Sequence, residues 1–214
     1  MILKRGNSFS TVAGKSHAGK KIGVLALQGD VDPHSKALEN FGAKAVPVKN
    51  PPQLRGLDGL VIPGGESTAL LRLCEPIGML PAIKGFAKTG GAVFGTCAGA
   101  ILLASRVTDP VQDSLGLIDI TIRRNGFGRQ IDSMETAGKA RPPLGNASIP
   151  LVFIRAPRIT ETGPAVEILA TYKQEPVLVR QAGILAATFH PELQSDGTVY
   201  GYWLDNVRTR GRHV

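Results

Sequence analysis

Three residues of this sequence have types and spacings suited to nucleophilic catalysis: Cys97, His190 and Glu192. Cys97 is the centre of the pentapeptide Gly-Thr-Cys-Ala-Gly, with apolar runs at residues 91–94 and 100–104. This pattern predicts a nucleophile elbow, in which a short buried strand turns sharply into a helix. Such a position suits a cysteine nucleophile, because the helix directs free N–H groups and its positive dipole end at the sulfur. The alternative is a small, inert cysteine buried in the core.

A cysteine nucleophile needs a base, and the segment Phe-His-Pro-Glu that ends at Glu192 contains one. His190 follows a predicted strand, and the carboxylate two residues later could hold the tautomer of its imidazole. A histidine in this position can also be purely structural. The order Cys, His, Glu nevertheless predicts a triad of the acyl-transfer type. His34, on the first predicted helix, and His17 and His213, in the tails, are interpreted as lying outside the site.

Alternating strands and helices are predicted to position these residues in the first half of the chain. The apolar runs predict strands at 22–27, 44–48, 57–62 and 91–95, and helices at 33–41, 69–73 and 77–88. Asp32 is the expected N-cap of the first helix, with Pro33 at its first position. Pro47 assigns the second strand to an edge. The alternation predicts an α/β fold with a largely parallel sheet and helices on both faces.

Three segments follow predicted parallel strands and should therefore meet at one edge of the sheet. They are Gln28-Gly29, Gly64-Gly65 and the turn at Cys97. Glycine N–H groups can approach a developing oxyanion closely, which would give the glycine pair a function beside the cysteine. The alternative for Pro63-Gly64-Gly65 is an ordinary turn.

The second half of the chain is predicted to be rich in antiparallel strands separated by turns. These strands are expected at residues 117–122, 151–157, 166–171, 176–180 and 183–188. Prolines 142, 143 and 150 are interpreted as marking a loop. A final helix over 198–207 would pack Trp203 and Leu204 on the body.

Length and charge limit the class of protein further. The chain has 214 residues, 43% of them hydrophobic, which favours one domain with a full core. The formal charge of +8 lies entirely in residues 1–21 and 208–214, so the body is neutral and no nucleic-acid partner is expected. Two cysteines without a secretory signal favour a reduced, cytoplasmic setting, and no membrane partner is expected.

The domain boundaries follow from this distribution of charge. Residues 1–20 are Ser-, Gly- and Lys-rich and are predicted to be a disordered basic extension rather than an organelle transit peptide. Residues 21–207 are the predicted catalytic domain, and residues 208–214 a basic tail.

Six collinear segments resemble the class I, triad-type glutamine amidotransferases, and most closely the glutaminase subunits of ribose-phosphate-dependent pyridoxal 5'-phosphate synthases. They are residues 27–30 (LQGD), 63–68 (PGGEST), 94–99 (FGTCAG), 124–130 (RNGFGRQ), 153–157 (FIRAP) and 189–193 (FHPEL). The resemblance covers about residues 21–207. It implies a flavodoxin-like three-layer sandwich that hydrolyses glutamine and passes ammonia to a barrel-type synthase subunit in a large hetero-oligomer, with no cofactor and no metal.

The resemblance also implies roles for individual residues. Cys97 would be the nucleophile, His190 the base and then the acid, and Glu192 its orienting partner. Oxyanion donors would be the N–H groups of Gly65 and Ala98, with Gln28 completing the site when the synthase docks. The positions that would hold L-glutamine are Gly65, Glu66, Ser67, Arg124, Ile154 and Arg155. A guanidinium suits the α-carboxylate of glutamine.

Two departures from the family pattern concern packing rather than catalysis. Ala100 stands where a larger apolar residue is expected, and Gly126 where Ser or Ala is usual. Two alternative functions remain at this point. One is a glutaminase for another synthase, such as the imidazole glycerol phosphate synthase of the histidine pathway. The other is a non-catalytic partner-binding domain of the same fold.

Overall fold

The structure is a computed structural model that describes residues 16–124, 126 and 133–210. The strands are β1 (Lys21–Leu25), β2 (Lys44–Val48), β3 (Gly59–Ile62), β4 (Ala92–Thr96), β5 (Ala104–Thr108), β6 (Ile118–Arg123), β7 (Ser133–Ala140), β8 (Ser148–Ile154), β9 (Arg158–Thr162), β10 (Glu167–Tyr172), β11 (Glu175–Gln181) and β12 (Ile184–Ala187). The helices are α1 (Val31–Asn40), α2 (Ser67–Cys74), α3 (Met79–Lys88), α4 (Ala98–Leu103) and α5 (Thr198–Asn206), with 3₁₀ turns at Pro51–Leu54 and Pro191–Leu193.

The central sheet has nine strands in the order β2-β1-β3-β4-β12-β11-β10-β7-β8. The strands from β2 to β12 pair in parallel, and those from β12 to β8 pair antiparallel. With β12 in fifth place, the parallel half has the flavodoxin-like order 2-1-3-4-5. The predicted α/β class is confirmed, as is the edge position of β2.

Helices cover both faces of the parallel half because its strands are apolar on both faces. On one face, α1 and α5 pack through Leu38 and Trp203 against strand residues such as Phe94. On the other face, α2 and α3 pack through Leu70 and Ile83. Consecutive strand residues alternate between the two clusters, as the period of two requires. The result is a three-layer sandwich.

A second sheet of three strands, in the order β5-β6-β9, lies outside the central sheet. Two of its strands, β5 and β9, and also β7 of the central sheet, were not predicted from the sequence. Pro150 lies inside β8 and not in a loop, so that assignment was wrong. Because β8 is an edge strand, it tolerates a residue without a backbone N–H group.

Helix α1 begins earlier than predicted, with Asp30 at the N-cap and Val31 as its first residue. The expectation of Asp32 as N-cap was wrong. Pro33 is instead the third residue of the helix, where it costs no hydrogen bond because the first N–H groups of a helix have no intrahelical acceptor.

The packed body starts before residue 21 and continues past residue 207. The backbone N–H of His17 donates to the carbonyl of Phe41, and His17 is buried. At the other end, the backbone N–H of Arg210 donates to Asp58 Oδ1. Residues 1–15 and 211–214 lie outside the described residues. In the described part of the chain, no helix is long and apolar enough to cross a membrane.

Candidate active site

Cys97 lies between β4 and α4 in a backbone conformation that is unusual for a residue with a side chain. Its φ is 48°, and its backbone N–H donates to the carbonyl of Ala187 on β12 at 2.8 Å. The following helix packs so closely on β3 that a Cβ at Gly99 would lie 2.0 Å from the carbonyl oxygen of Ile62. The second glycine of the pentapeptide is therefore required by packing. The predicted elbow is present.

His190 reaches the same place from the neighbouring strand. Strands β4 and β12 pair in parallel, with Thr96 opposite Ala187, so the residues that follow both strands lie side by side. The Nδ1 atom of His190 is 2.6 Å from Oε1 of Glu192. Both residues are buried, with 3% of His190 and 5% of Glu192 exposed. The structure thus brings Cys97, His190 and Glu192 together.

The charges of His190 and Glu192 stabilise each other. Burial alone would lower the pKa of His190, but its hydrogen bonds to Cys97 and Glu192 outweigh burial and raise the pKa to about 10. Burial would raise the pKa of Glu192, but the neighbouring His34 and His190 rings outweigh it, and the pKa lies below its usual value. An ionised carboxylate therefore faces a protonated imidazole.

Two glycine loops close over this row. A Cβ at Gly64 would lie 2.5 Å from Cε1 of His190, and one at Gly29 would lie 2.0 Å from the Gly64 carbonyl oxygen. Gly65 has a φ of 140° and packs on the side chain of Gln28. The Nε2 of Gln28 donates to the carbonyl of Glu66 at 2.9 Å. The two loops thus pack directly on each other and on His190.

A cavity of about 200 Å³ opens beside the sulfur. This is smaller than the 300–1,000 Å³ typical of drug-sized ligands, and suits a molecule the size of an amino acid. The cavity contains all six predicted glutamine-binding residues. Its lining is Asp30, Gly65, Glu66, Ser67, Cys97, Ile101, Arg124, Ile154, Arg155 and His190.

Arg124 is held at the cavity wall by α2. Its Nη2 atom lies 3.1 Å from Oε1 of Glu66 and 3.0 Å from Oγ1 of Thr68. The Glu66 carboxylate also caps α2, since it accepts hydrogen bonds from the N–H groups of Thr68 and Ala69. Partial burial would raise the pKa of Glu66, but these backbone donors outweigh it and lower the pKa. Glu66 remains ionised and fixes the guanidinium.

The other predicted binding residues shape the cavity in different ways. The hydroxyl of Ser67 donates to Oε1 of Gln112 at 2.9 Å. The carbonyl of Ile154 lies 3.9 Å from Sγ of Cys97. Arg155 has a φ of 43°, a conformation that costs energy for a residue with a side chain and is often found at functional sites. Ala98, the first residue of α4, has an N–H group with no intrahelical acceptor.

Sequence reasoning missed two cavity residues and one residue behind the triad. Asp30 and Ile101 line the cavity, and His34 lies 3.5 Å from Oε1 of Glu192. The interpretation of His34 as outside the site was therefore wrong, although its place on α1 was correct. Its spacing from Ala37 and Leu38, three and four residues on, would have placed it on the buried face of α1.

One set of side chains comes close enough to be considered for a metal ion. Single ligand atoms of Asp30, His190 and Glu192 lie within 4.8 Å of one another. The Glu192 oxygen is already bonded to His190, and Asp30 is exposed to solvent. Exposed acidic groups often come this close without a metal. The absence of a metal in this site stays a prediction.

Known proteins are similar to this chain in sequence and in fold. A protein named pyridoxal 5'-phosphate synthase subunit PdxT from Thermotoga maritima is 48% identical over 188 residues, which are 88% of this chain and all of the relative. The protein of the same name from Koribacter versatilis is 51% identical over 88% of this chain and 96% of its own.

A crystal structure of a glutamine amidotransferase matches with a TM-score of 0.81 and 42% identity, over 87% of this chain and 98% of the other. The model of the SNO glutamine amidotransferase family matches residues 24–209. The predicted resemblance is confirmed: this chain belongs to the SNO glutamine amidotransferase family.

Proposed function

We propose that this chain hydrolyses L-glutamine to glutamate and ammonia at Cys97, and that it supplies the ammonia for the synthesis of pyridoxal 5'-phosphate. The observation that carries the chemistry is the continuous row of Cys97, His190 and Glu192 at the wall of an amino-acid-sized cavity. Family membership and the names of the PdxT relatives support the proposal that the ammonia is used to make pyridoxal 5'-phosphate. No organic cofactor is needed for this reaction.

In the first half-reaction, the proton of the Cys97–His190 pair is held on His190, and Sγ of Cys97 attacks the side-chain amide carbon of glutamine. The N–H groups of Gly65 and Ala98 stabilise the oxyanion. His190 then gives the proton to the leaving nitrogen, and ammonia departs from a glutamyl thioester. The raised pKa of His190 suits this acid step, because the ring retains the proton until the nitrogen accepts it.

In the second half-reaction, water hydrolyses the thioester. His190 removes a proton from the water as it attacks. The carbon–sulfur bond then breaks, glutamate leaves, and the proton stays on His190, which restores the starting state of the pair. Glu192 holds the imidazole in one orientation through both steps, since Nδ1 stays bonded to the carboxylate while Nε2 exchanges protons.

Substrate recognition uses the fixed guanidinium at the opposite wall. Arg124 presents its remaining donors to the α-carboxylate of glutamine, and the Glu66 contact keeps the fork in place. The carboxylates of Asp30 and Glu66 in the wall provide negative charge for the α-ammonium group. A substrate that lacks either charge would forgo a charge-assisted pair with Arg124 or with these carboxylates, so the site discriminates against it.

The partner is a barrel-type synthase subunit that consumes the ammonia within a hetero-oligomer. Its docking would act on the Gln28 loop, because that loop packs on Gly64 and Gly65 and so on an oxyanion donor. Both cysteines in the described chain are free, which agrees with a cytoplasmic setting.

The catalytic assignment is tested with a matched pair of cysteine variants. Cys97→Ala abolishes glutamate formation and labelling by a glutamine-mimicking diazoketone, whereas Cys74→Ala retains both. Cys74 is also buried and free, but it lies on α2 and its pKa is raised to about 11 by burial, so it is unreactive. Comparable turnover by Cys97→Ala would refute the assignment of the nucleophile.

Coupling to the partner is tested by measuring glutamate formation by the purified chain with and without the synthase subunit. The chain alone is slow, and the synthase subunit accelerates it. Gln28→Ala loses this acceleration while still being labelled by the diazoketone. If the chain alone were fully active and the partner did not change its rate, the coupling proposal would be refuted. The assignment of the triad would still stand.

A further inference from the structure

A second histidine lies behind the triad, and both of its ring nitrogens are engaged. His34 on α1 is fully buried, and its Nδ1 contacts the hydroxyl of Tyr200 on α5. Its Nε2 is 3.2 Å from Oγ1 of Thr96 and 3.5 Å from Oε1 of Glu192. The row at the active site therefore continues from Glu192 through His34 to Tyr200, which is itself buried.

The neighbours of His34 determine its charge and its tautomer. Burial lowers the pKa of His34, despite the opposing charge of Glu192, so the ring is neutral. Burial also raises the pKa of Tyr200 well above its ordinary value, so that hydroxyl keeps its proton. If Nδ1 carried the ring proton, the bare Nε2 would face an ionised carboxylate, two acceptors in contact. Tyr200 then donates to Nδ1, and Nε2–H lies between Oγ1 of Thr96 at 3.2 Å and the Glu192 carboxylate at 3.5 Å.

We propose that His34, held by Tyr200, is a positioning residue that orients the Glu192 carboxylate towards His190. The inference rests on the proposed triad and deepens it. His34 acts through Glu192 and does not touch the substrate.

The charge state of His34 explains why a histidine is suited to this place. A neutral Nε2–H can orient the carboxylate without neutralising it, so the negative charge remains available to the His190 imidazolium. A cation in the same place would compete with His190 for the carboxylate. In the described chain, no other residue donates to the buried Oε2 of Glu192. Both the bond to His190 and the contact with His34 thus use Oε1, and without His34 the carboxylate could rotate.

The tautomer can be read directly from the full chain by NMR with ¹⁵N-labelled histidine. The His34 signals are assigned by their loss in His34→Gln. We expect a bare Nδ1 and a protonated Nε2 at neutral pH, and in Tyr200→Phe a shift of the Nδ1 signal. A protonated Nδ1 or a doubly protonated ring in the wild type would overturn the proposal.

The effect on catalysis is measured in the presence of the synthase subunit, per active site counted with the diazoketone. His34→Leu lowers kcat about tenfold or more with KM near the wild-type value, as removal of groups that orient reactive ligands does. His34→Gln can still place an amide N–H near Glu192 and retains more of kcat than His34→Leu. Tyr200→Phe, which removes one oxygen, lowers kcat less than His34→Leu.

Trp203→Phe serves as the structural control, because Trp203 is also buried on α5 and packs on Phe94 as Tyr200 does, whereas the hydroxyl that contacts His34 belongs to Tyr200. It lowers Tm and leaves kcat unchanged. If the His34 and Tyr200 variants also lose only Tm, the positioning role is wrong, while an inactive Cys97→Ala would still uphold the triad. If His34→Leu fails to fold, Tyr200→Phe and the NMR measurement decide.

Discussion

The two halves of the molecule contribute different parts of the site. The parallel half provides the proposed reacting groups and oxyanion donors: Cys97 follows β4, His190 follows β12, and Gly65 follows β3. The antiparallel half and the small sheet provide the far wall of the cavity, with Arg124 after β6 and Arg155 after β8. Cys97 and His190 therefore follow strands of the parallel half, whereas the two arginines of the far wall follow strands outside it. This predicts that substitutions of the former group change kcat and substitutions of the two arginines change KM.

The largest effect is expected from Glu192→Gln in the parallel half. The amide keeps the shape of the carboxylate but neither fixes the same imidazole tautomer nor stabilises its cation, so kcat falls by about 10³ to 10⁴-fold with little change in KM. Steady-state glutamate formation with the synthase subunit present measures this. Glu167→Gln, which removes the acid paired with Arg180 at the surface, is the control and keeps full activity.

The next effect is expected from Arg124→Lys at the far wall. Lysine keeps the charge but loses the planar fork, and the loss of a charge-assisted pair raises KM about 10 to 100-fold with kcat nearly unchanged. Arg180→Lys is the control. It removes a guanidinium that donates to both carboxylate oxygens of Glu167 outside the cavity lining, and we expect KM to be unchanged. A fall in kcat equal to the loss in kcat/KM for Arg124→Lys would contradict the division between the halves.

A stability measurement tests the charge pattern of the parallel half. Unfolded His190 loses its proton near pH 6.5, whereas folded His190 holds it to about pH 10. Between these values the folded chain binds the extra proton, so the free energy of unfolding falls as the pH rises. We expect Tm of the wild type to decrease across this window by a few degrees more than Tm of His190→Asn. Parallel curves for the two proteins would contradict the raised pKa.

The smallest effect concerns packing beside the small sheet, between Gly126 after β6 and Arg158 on β9. A Cβ at Gly126 would lie 2.3 Å from Cγ of Arg158, which explains why glycine stands where the family usually has Ser or Ala. Gly126→Ser destabilises the protein by about 1–3 kcal/mol through overpacking, with kcat unchanged. Adding Arg158→Ala removes the Cγ and Cδ contacts and leaves only the Cβ contact at 2.8 Å, so the double variant is more stable than the two separate losses predict. Denaturant unfolding of all four proteins gives this coupling, and strict additivity would refute the clash.

The same two halves differ in how much of them the sequence could predict. Strands β1, β3, β4 and β12 were placed to within about two residues, because strands buried on both faces are continuous apolar runs. Strand β7 was missed because it has polar residues such as Glu135 and Lys139 and is defined by its pairing with β8. The first strand of the small sheet, β5, was missed for a similar reason, because it is half exposed and so is not a continuous apolar run.

The site shows a similar limit. The triad and the glutamine wall could be predicted because each residue stands in a local motif. The contact between His34 and Tyr200 could not, because it joins residues 166 positions apart on two helices, and neither residue carries a motif. Such pairs are set by how α1 and α5 pack on the same face of the sheet.

The pairing of β4 with β12 has a consequence for how robust the catalytic geometry is. Neighbouring strands in any sheet lie about 4.8 Å apart, a spacing set by backbone hydrogen bonds and not by side chains. Since Cys97 and His190 each follow one of these two strands, the backbone hydrogen bonds between β4 and β12 largely set the distance between them. Changes in the surrounding loops can therefore reshape the cavity, or its response to a partner, while the nucleophile and its base remain aligned.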